Sequence, residues 1–412
     1  MNLSTLFGTG SERPDSSYAW IRLWVTVVVA TIGGIGMWST PIMLPTMQAE
    51  FGVDRAIAAL PYSVTMVGFM VSGVILGRVV DRFGIFGTLV GGTAAVVLGY
   101  AAASLAPNIW IYILIQGLIG AGSAAFFAPL MADISHWFTR RRGIAVALCA
   151  SGNYLAGTMW PPPLQYAIDT YGWRPAHLGI AVICLVTLLP FCLVLRRRAP
   201  FHGEATSSVQ RGFQPRDLGI SPNALQALLC IAGVACCAAM AMPQVHIVAY
   251  CGDLGYGVAR GAEMLSLMLG FGIISRLASG FIADRIGGVA TLLVGSALQA
   301  CALIFYFLFD GLTSLYVISA LFGLFQGGIV PSYAIIVREY FPPGEAAARI
   351  GLAIMATLFG MALGGWMSGA IFDLTGSYRA AFANGIAWNL INVSIALWLL
   401  IRSRRGPRLA AA

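Results

Sequence analysis

The chain contains no lysine: all 24 basic residues among its 412 are arginine. That excludes Schiff-base chemistry, a phosphate-loop lysine and a lysine nucleophile. Charge of either sign is scarce, at 10% of residues, against about 25% in soluble domains. A chain of this length has too little polar surface to cover two or three water-soluble domains, so a soluble enzyme is excluded. The four histidines, at 136, 177, 202 and 246, form no His-Glu-x-x-His spacing, and the eight cysteines include no Cys-x-x-Cys pair. Neither a metal centre nor a disulfide framework is expected, and no cofactor. With no Gly-x-Ser-x-Gly turn either, the sequence offers no enzyme active site.

What is abundant is apolar surface. Hydrophobic residues make up 58%, and the 49 glycines bring apolar and small residues to about 70%. Twelve apolar runs reach the roughly 20 residues that a helix needs to cross a bilayer. They lie near 21–45, 57–77, 84–105, 109–132, 143–165, 175–195, 223–250, 260–282, 287–309, 313–336, 349–372 and 379–401. With both termini placed in the cytoplasm, 19 of the arginines fall on inner segments and four, Arg55, Arg174, Arg260 and Arg379, on outer loops. That asymmetry satisfies the positive-inside rule. The net charge of +8 is therefore a topology signal and not a nucleic-acid-binding surface.

The sequence also repeats. Gly77-Arg-Val-Val-Asp81-Arg82-Phe-Gly84 returns as Gly280-Phe-Ile-Ala-Asp284-Arg285-Ile-Gly287, and Asp169-Thr-Tyr-Gly172 returns as Asp373-Leu-Thr-Gly376. The expected fold is all-α, with twelve transmembrane helices in two six-helix bundles, residues 1–200 and 223–412. A polar cytoplasmic linker, 201–222, joins them. Glycine-, alanine- and serine-rich helices allow close packing and sliding in lipid. A moving bundle is expected more than a static anchor.

The repeated Gly-x-x-x-Asp-Arg-x-Gly turn resembles that of the major facilitator superfamily, and the resemblance spans essentially the whole chain. Two further segments are similar to its monocarboxylate transporter and oxalate/formate exchanger branch. One is Pro14-Asp15-Ser-Ser-Tyr18-Ala-Trp20 before helix 1. The other is Trp137-Phe138-Thr-Arg140-Arg141-Arg142-Gly-Ile-Ala145 entering helix 5. In both branches the resemblance implies a substrate-binding arginine on helix 8, here Arg276. The second cation that the oxalate exchangers carry on helix 11 has no counterpart in 350–372. The helix-1 lysine and helix-8 aspartate of the animal monocarboxylate transporters are also missing, the latter position being Gly272.

Arg276 stands out on physical grounds as well. It lies inside an apolar run, roughly 8 Å past its middle at 1.5 Å per residue, where a charge is costly unless it faces a partner or a wet cavity. A guanidinium there offers two parallel donors to a carboxylate and a charge that cannot be titrated away. Polar and aromatic residues at similar depth are candidates to complete a small pocket: Trp38, Phe126, Phe127, Asn153, Tyr154, His246, Tyr333, Asn389 and Asn392. Taken singly, such a residue is more often ordinary packing than site, His246 being as readable one way as the other. Asp253 and Glu263 flank the outer ends of helices 7 and 8 and are candidates for proton coupling or gating, Asp253 as a partner of Arg276. Asp81, Arg82, Asp284 and Arg285 in the repeated turns are candidates for gating.

The sequence therefore points to a multi-pass plasma-membrane carrier, of a bacterial inner membrane, with the monomer expected to suffice. It would move small monocarboxylates resembling lactate or pyruvate by alternating access, with protons as the possible co-substrate, and with no nucleic-acid partner. An exchanger or exporter of another carboxylate or sulfonate, and a non-transporting membrane sensor, are the competing readings.

Overall fold

A computed structural model of the chain describes residues 14–197 and 218–405. Most of the expected linker, 201–217, lies outside the described residues. The described chain is helical almost throughout, and eleven of its helices are long and apolar enough to cross a membrane. They are α1 (Ser17–Phe51), α2 (Arg55–Val80), α3 (Arg82–Ser104), α4 (Ile109–Trp137), α6 (Trp173–Val194), α7 (Pro222–Asp253), α8 (Val258–Ile286), α9 (Gly288–Leu308), α10 (Leu312–Tyr340), α11 (Pro343–Thr375) and α12 (Tyr378–Arg404). The remaining expected span, 143–165, is built from two pieces, Arg142–Met159 and Pro161–Tyr171, together α5. Pro161, Pro162 and Pro163 supply no backbone N–H, so the ladder cannot run through them.

The other interruptions also follow from the sequence. In α4 a 3-10 turn, Ala124–Phe126, precedes Ala128–Trp137, which starts with Pro129 in its first turn. In α10 the break falls at Gly327–Gly328, between Leu312–Gln326 and Ile329–Tyr340, and not at the nearby Pro331. Pro331 sits in the first turn of the second piece, where the lost N–H has no intrahelical partner to miss.

Contacts divide the described residues into two units. One holds the chain up to Met43 together with Val64 to 197, and the other holds Leu44–Ser63 with the chain from 218 onward. Within the first, α1 packs on α5 and α6; within the second, α7 packs on α11 and α12. The same pairing order in each is the structural form of the sequence repeat. The repeated turns match in backbone detail: Gly84 (φ 71°, ψ 173°) and Gly287 (φ 82°, ψ 165°) share a conformation that only glycine adopts without strain. In the second unit Glu339 of α10 accepts the N–H of Gly288 at 3.0 Å and so caps α9. Val182, Val186 and Leu193 on α6 are more than half exposed, which suits a surface solvated by lipid.

Candidate functional site

In the first unit the candidates fall into two contacts. Trp38 of α1 is buried, and its indole N–H reaches the Asn153 carbonyl (2.9 Å) and Oδ1 (3.2 Å) on α5, while Asn153 Nδ2 faces Met37 Sδ at 3.5 Å. Tyr154 is buried beside it in sequence. Phe126 is buried in the 3-10 turn against Gly33, and the Phe127 ring lies 6.0 Å from Phe69. Both ends of the Asn153 amide are thus held by α1. Phe126 fills space that a side chain at Gly33 would otherwise occupy.

In the second unit three candidates join one hydrogen-bonded group through Ser296. Tyr333 Oη donates to Asn392 Oδ1 (3.1 Å), Asn392 Nδ2 donates to Ser296 Oγ (2.7 Å), and Asn389 Nδ2 donates to the Ser296 carbonyl (2.9 Å). All three side chains are fully buried and tie α10 and α12 to α9. Their polar groups serve interhelical bonding, which in lipid replaces the hydrophobic force that sorts soluble helices.

Arg276 is half-buried on α8, three residues before Ser279, whose hydroxyl donates to the Arg276 carbonyl at 3.0 Å. The backbone around it is fixed by the α10 break. A Cβ on Gly327 would overlap the Gly272 carbonyl oxygen and come within 2.8 Å of Ser275 Cβ and 3.1 Å of Arg276 N; one on Gly328 would overlap Ser279. The two glycines thus bring α10 onto the α8 backbone at the turn that carries the arginine. We expect Gly327→Val to lower maximal transport at least tenfold, roughly the effect of overpacking by 1–3 kcal/mol, while the protein still assembles. Uptake kinetics beside gel filtration checks this, and unaltered kinetics would free Arg276 from dependence on α10.

The proposed gating residues separate. Asp253 does not stand alone at the end of α7: both its oxygens bond Arg55, Nη1 to Oδ2 and Nη2 to Oδ1, each at 3.0 Å. His246 is fully buried between Tyr378 Oη (3.1 Å from Nδ1) and the Gly365 carbonyl (2.8 Å from Nε2). Glu263 pairs with Arg260 one turn away (3.1 Å) and accepts the Tyr316 hydroxyl, on an exposed surface. Arg82, Asp284 and Arg285 are exposed at the repeated turns. Asp81 lies in the α2–α3 turn, and its backbone there is helical.

Two features escaped the sequence reading. Arg55 had been counted only as an outer-loop charge. Arg22 of α1, counted only as an inner charge, forms a bidentate pair with Asp133 of α4, Nε to Oδ2 at 2.9 Å and Nη2 to Oδ1 at 3.0 Å, closed to solvent. This pair sits beside a contact between the two motifs that resemble the monocarboxylate branch. The Asp15 N–H donates to the Trp137 carbonyl (3.0 Å), and Asp15 Oδ2 accepts from the Thr139 hydroxyl (2.6 Å) and from the Thr139 and Arg140 N–H groups (3.3 and 3.2 Å). The Trp20 ring meets Phe138 edge-on at 5.0 Å, and Tyr18 meets Trp137 at 5.2 Å.

The Thr139 hydroxyl, joined by the backbone N–H groups of Arg140 and Thr139, holds the Asp15 carboxyl below its usual value. A carboxylate lowered in the folded state stabilises it above the unfolded value, about 4, and that contribution fades as pH falls through the folded one. Purified wild type should therefore melt above Asp15→Asn at neutral pH, with the two curves converging below about pH 4. A melting difference that persists undiminished in acid would assign the effect to shape instead of charge.

The chain matches the sequence profile described as Major Facilitator Superfamily over residues 26–318 and 309–412. It belongs to that superfamily. This facilitator is 27% identical over 403 residues to monocarboxylate transporter 13 of Bos taurus, covering 94% of its own length and 91% of that protein. It is 26% identical over 382 residues to the MFS-type transporter pynF of Aspergillus niger, at 90% and 86% coverage. Among solved structures, a bacterial homologue of the human lysosomal transporter Spinster, in an inward-facing and occupied conformation, superposes with a TM-score of 0.72 at 14% identity, covering 95% of this facilitator and 98% of that chain. The protein is a multi-pass membrane transporter of this family and not an enzyme.

Proposed function

We propose that this facilitator carries small organic monocarboxylates, of the size of lactate or pyruvate, across a bacterial inner membrane by alternating access and together with a proton. The observation that carries the reading is Arg276, a permanent cation within the α8 span whose backbone is held by the α10 glycines. One guanidinium suits one carboxylate: two parallel N–H donors meet two oxygens, and the pair neutralises both charges for passage through a low-dielectric path. The similarity to a monocarboxylate transporter over 94% of the chain supports the same substrate class. In this reading both termini are cytoplasmic, which agrees with the arginine distribution.

Uptake of labelled lactate into proteoliposomes, with and without an inward proton gradient, tests the proposal. Flux driven by the gradient and suppressed by unlabelled pyruvate supports it. Absence of lactate flux in protein shown to be folded, with flux of another organic acid, would replace the substrate while leaving the transporter class intact.

A further inference from the structure

The contact division cuts across α1 and α2. Residues 44–63, the end of α1 and the first turns of α2, cluster with α7–α12, while the rest of both helices clusters with the first unit. By its contacts this segment belongs to the second unit, although its helices continue into the first.

What fastens that segment is polar and graded. Asp373 of α11 accepts the first backbone N–H groups of α2, Arg55 at 2.9 Å and Ala56 at 2.7 Å, one oxygen to each. This is the service of an N-cap, supplied from 318 residues away. The Arg55 guanidinium holds Asp253, donates to Tyr378 Oη at 2.7 Å, and lies 4.6 Å from the Phe372 ring centroid. The direction of the bonds behind it is fixed by chemistry. The Gly365 carbonyl can only accept, so His246 Nε2 carries the proton; Nδ1 then accepts from the Tyr378 hydroxyl, whose oxygen accepts from Arg55. A second proton on His246 would leave two donors facing one hydroxyl, so the neutral ring is the form that fits.

Elsewhere the segment makes one further hydrogen bond and close contacts between small residues. Ser63 Oγ donates to the Ala362 carbonyl at 2.6 Å, and Gly365 and Gly369 admit Tyr62 and the Arg55–Ala56 backbone against α11. Smooth small-residue contacts of this kind permit sliding. The Asp373 cap and the Ser63 hydrogen bond are directional too, but the ion pair is the contact that joins two opposite charges, and its two members differ in access: the Arg55 side chain is 8% exposed and that of Asp253 37%. Water reaches the carboxylate and not the guanidinium.

We propose that Arg55 and Asp253 form the coupling latch of this carrier, holding the first turns of α2 on α7, α11 and α12 until Asp253 takes a proton from water. A protonated Asp253 offers one good acceptor in place of two and no opposite charge, which leaves Arg55 buried beside aromatic rings without its counterion and favours release. The other charged or titratable groups around the pair are His246 and Tyr250 of α7, Asp373 of α11, and Tyr378 and Arg379 of α12, the last facing Asp310 at 3.6 Å. Of these, Asp373 is occupied by backbone donors and Arg379 by Asp310. This inference rests on the transporter reading but not on lactate as the substrate.

Hydrogen exchange on the full-length protein in lipid nanodiscs reads the latch with no substrate present. In wild type, protection of amides in 55–63, corrected for the intrinsic pH effect, should fall as the medium is acidified. In Asp253→Asn it should be lower than wild type at neutral pH by at least roughly tenfold and insensitive to pH, while amides of α9 and α10 keep their protection and so certify the fold. Tyr378→Phe should weaken protection yet keep the pH response, because the carboxylate remains. Unchanged protection of 55–63 in Asp253→Asn, or wild-type protection that does not vary with pH, would overturn the latch. Lactate uptake measured in parallel separates the two proposals: exchange results as expected without lactate flux would sustain the latch and remove only the substrate.

Discussion

Arg276→Lys is expected to retain the charge and lose transport affinity. An ammonium at that site is a point donor, whereas the guanidinium presents two parallel N–H groups to two carboxylate oxygens. Losing one charge-assisted bond of about 1.5–3 kcal/mol raises the half-saturating concentration for lactate by roughly tenfold to a hundredfold. Arg276→Ala goes further and removes the counter-charge for an anion that must leave water, so saturable flux should vanish. Concentration-dependent uptake of labelled lactate at fixed proton gradient is the check, with melting and gel filtration to show that both variants are assembled. The α8 backbone is held by Gly327 and Gly328 whatever side chain stands at 276, which is a reason to expect assembly. A lysine variant with wild-type affinity would remove Arg276 from substrate binding. An alanine variant with full flux would move the anion site elsewhere in the protein.

The succession of helical spans was legible in the sequence, and direction around each helix was not. Apolar runs placed the helix ends to within six residues, because the bilayer imposes a length. The repeated glycines were legible for a similar reason: Gly84 and Gly287 occupy backbone conformations closed to other residues. Tyr333, Asn389 and Asn392 were expected to face a pocket, yet Asn389 and Asn392 bond to Ser296, and Tyr333 to Asn392. In a soluble helix the polar face reports orientation. In lipid the outward face is as apolar as the interior, so periodicity carries little of that information. Arg55 was missed because its partners Asp253, Asp373 and Tyr378 lie 198 to 323 residues away in the chain. No local spacing announces such a cluster. The nearest signal was a charge count: an arginine on a segment expected to be poor in them.

Two arginine–aspartate pairs of similar geometry thus carry different physical meanings, and solvent access separates them. The Arg55 and Asp253 side chains are 8% and 37% exposed, so that pair stands at the edge of solvent. Arg22 and Asp133 are 0% and 8% exposed, and Arg22 is further enclosed by the Leu195 carbonyl (3.1 Å) and by the Trp137 ring, whose centroid lies 4.8 Å away. That pair has no path to release and reads as a permanent tie among α1, α4 and the end of α6.

The largest stability effect is expected at this tie. Asp133→Ala leaves a guanidinium buried with a carbonyl and a tyrosine hydroxyl, Tyr18 at 3.4 Å, for partners. Breaking a buried pair by deleting one member costs about 3–5 kcal/mol, a large fraction of the 5–15 kcal/mol that holds a typical fold. The double variant Arg22→Met, Asp133→Leu should recover most of that loss. It fills similar volume and leaves no buried charge, and exchanging an ion pair for apolar packing is often neutral or stabilising. Denaturant titration in mixed micelles, followed by tryptophan fluorescence, compares wild type, Asp133→Ala, Arg22→Met and the double. Recovery in the double would mean that the cost of the single change is the orphaned charge, and that the pair contributes specificity of α1 against α4 more than stability. A double variant as unstable as Asp133→Ala would instead show that the bonds themselves, including the one from Arg22 to the Leu195 carbonyl, hold this end of the first unit together. Because the clamp between Asp15 and the Thr139–Arg140 turn depends on α1 and α4 keeping their register, the same outcome should also erase the melting difference expected for Asp15→Asn, which makes the two measurements a check on each other.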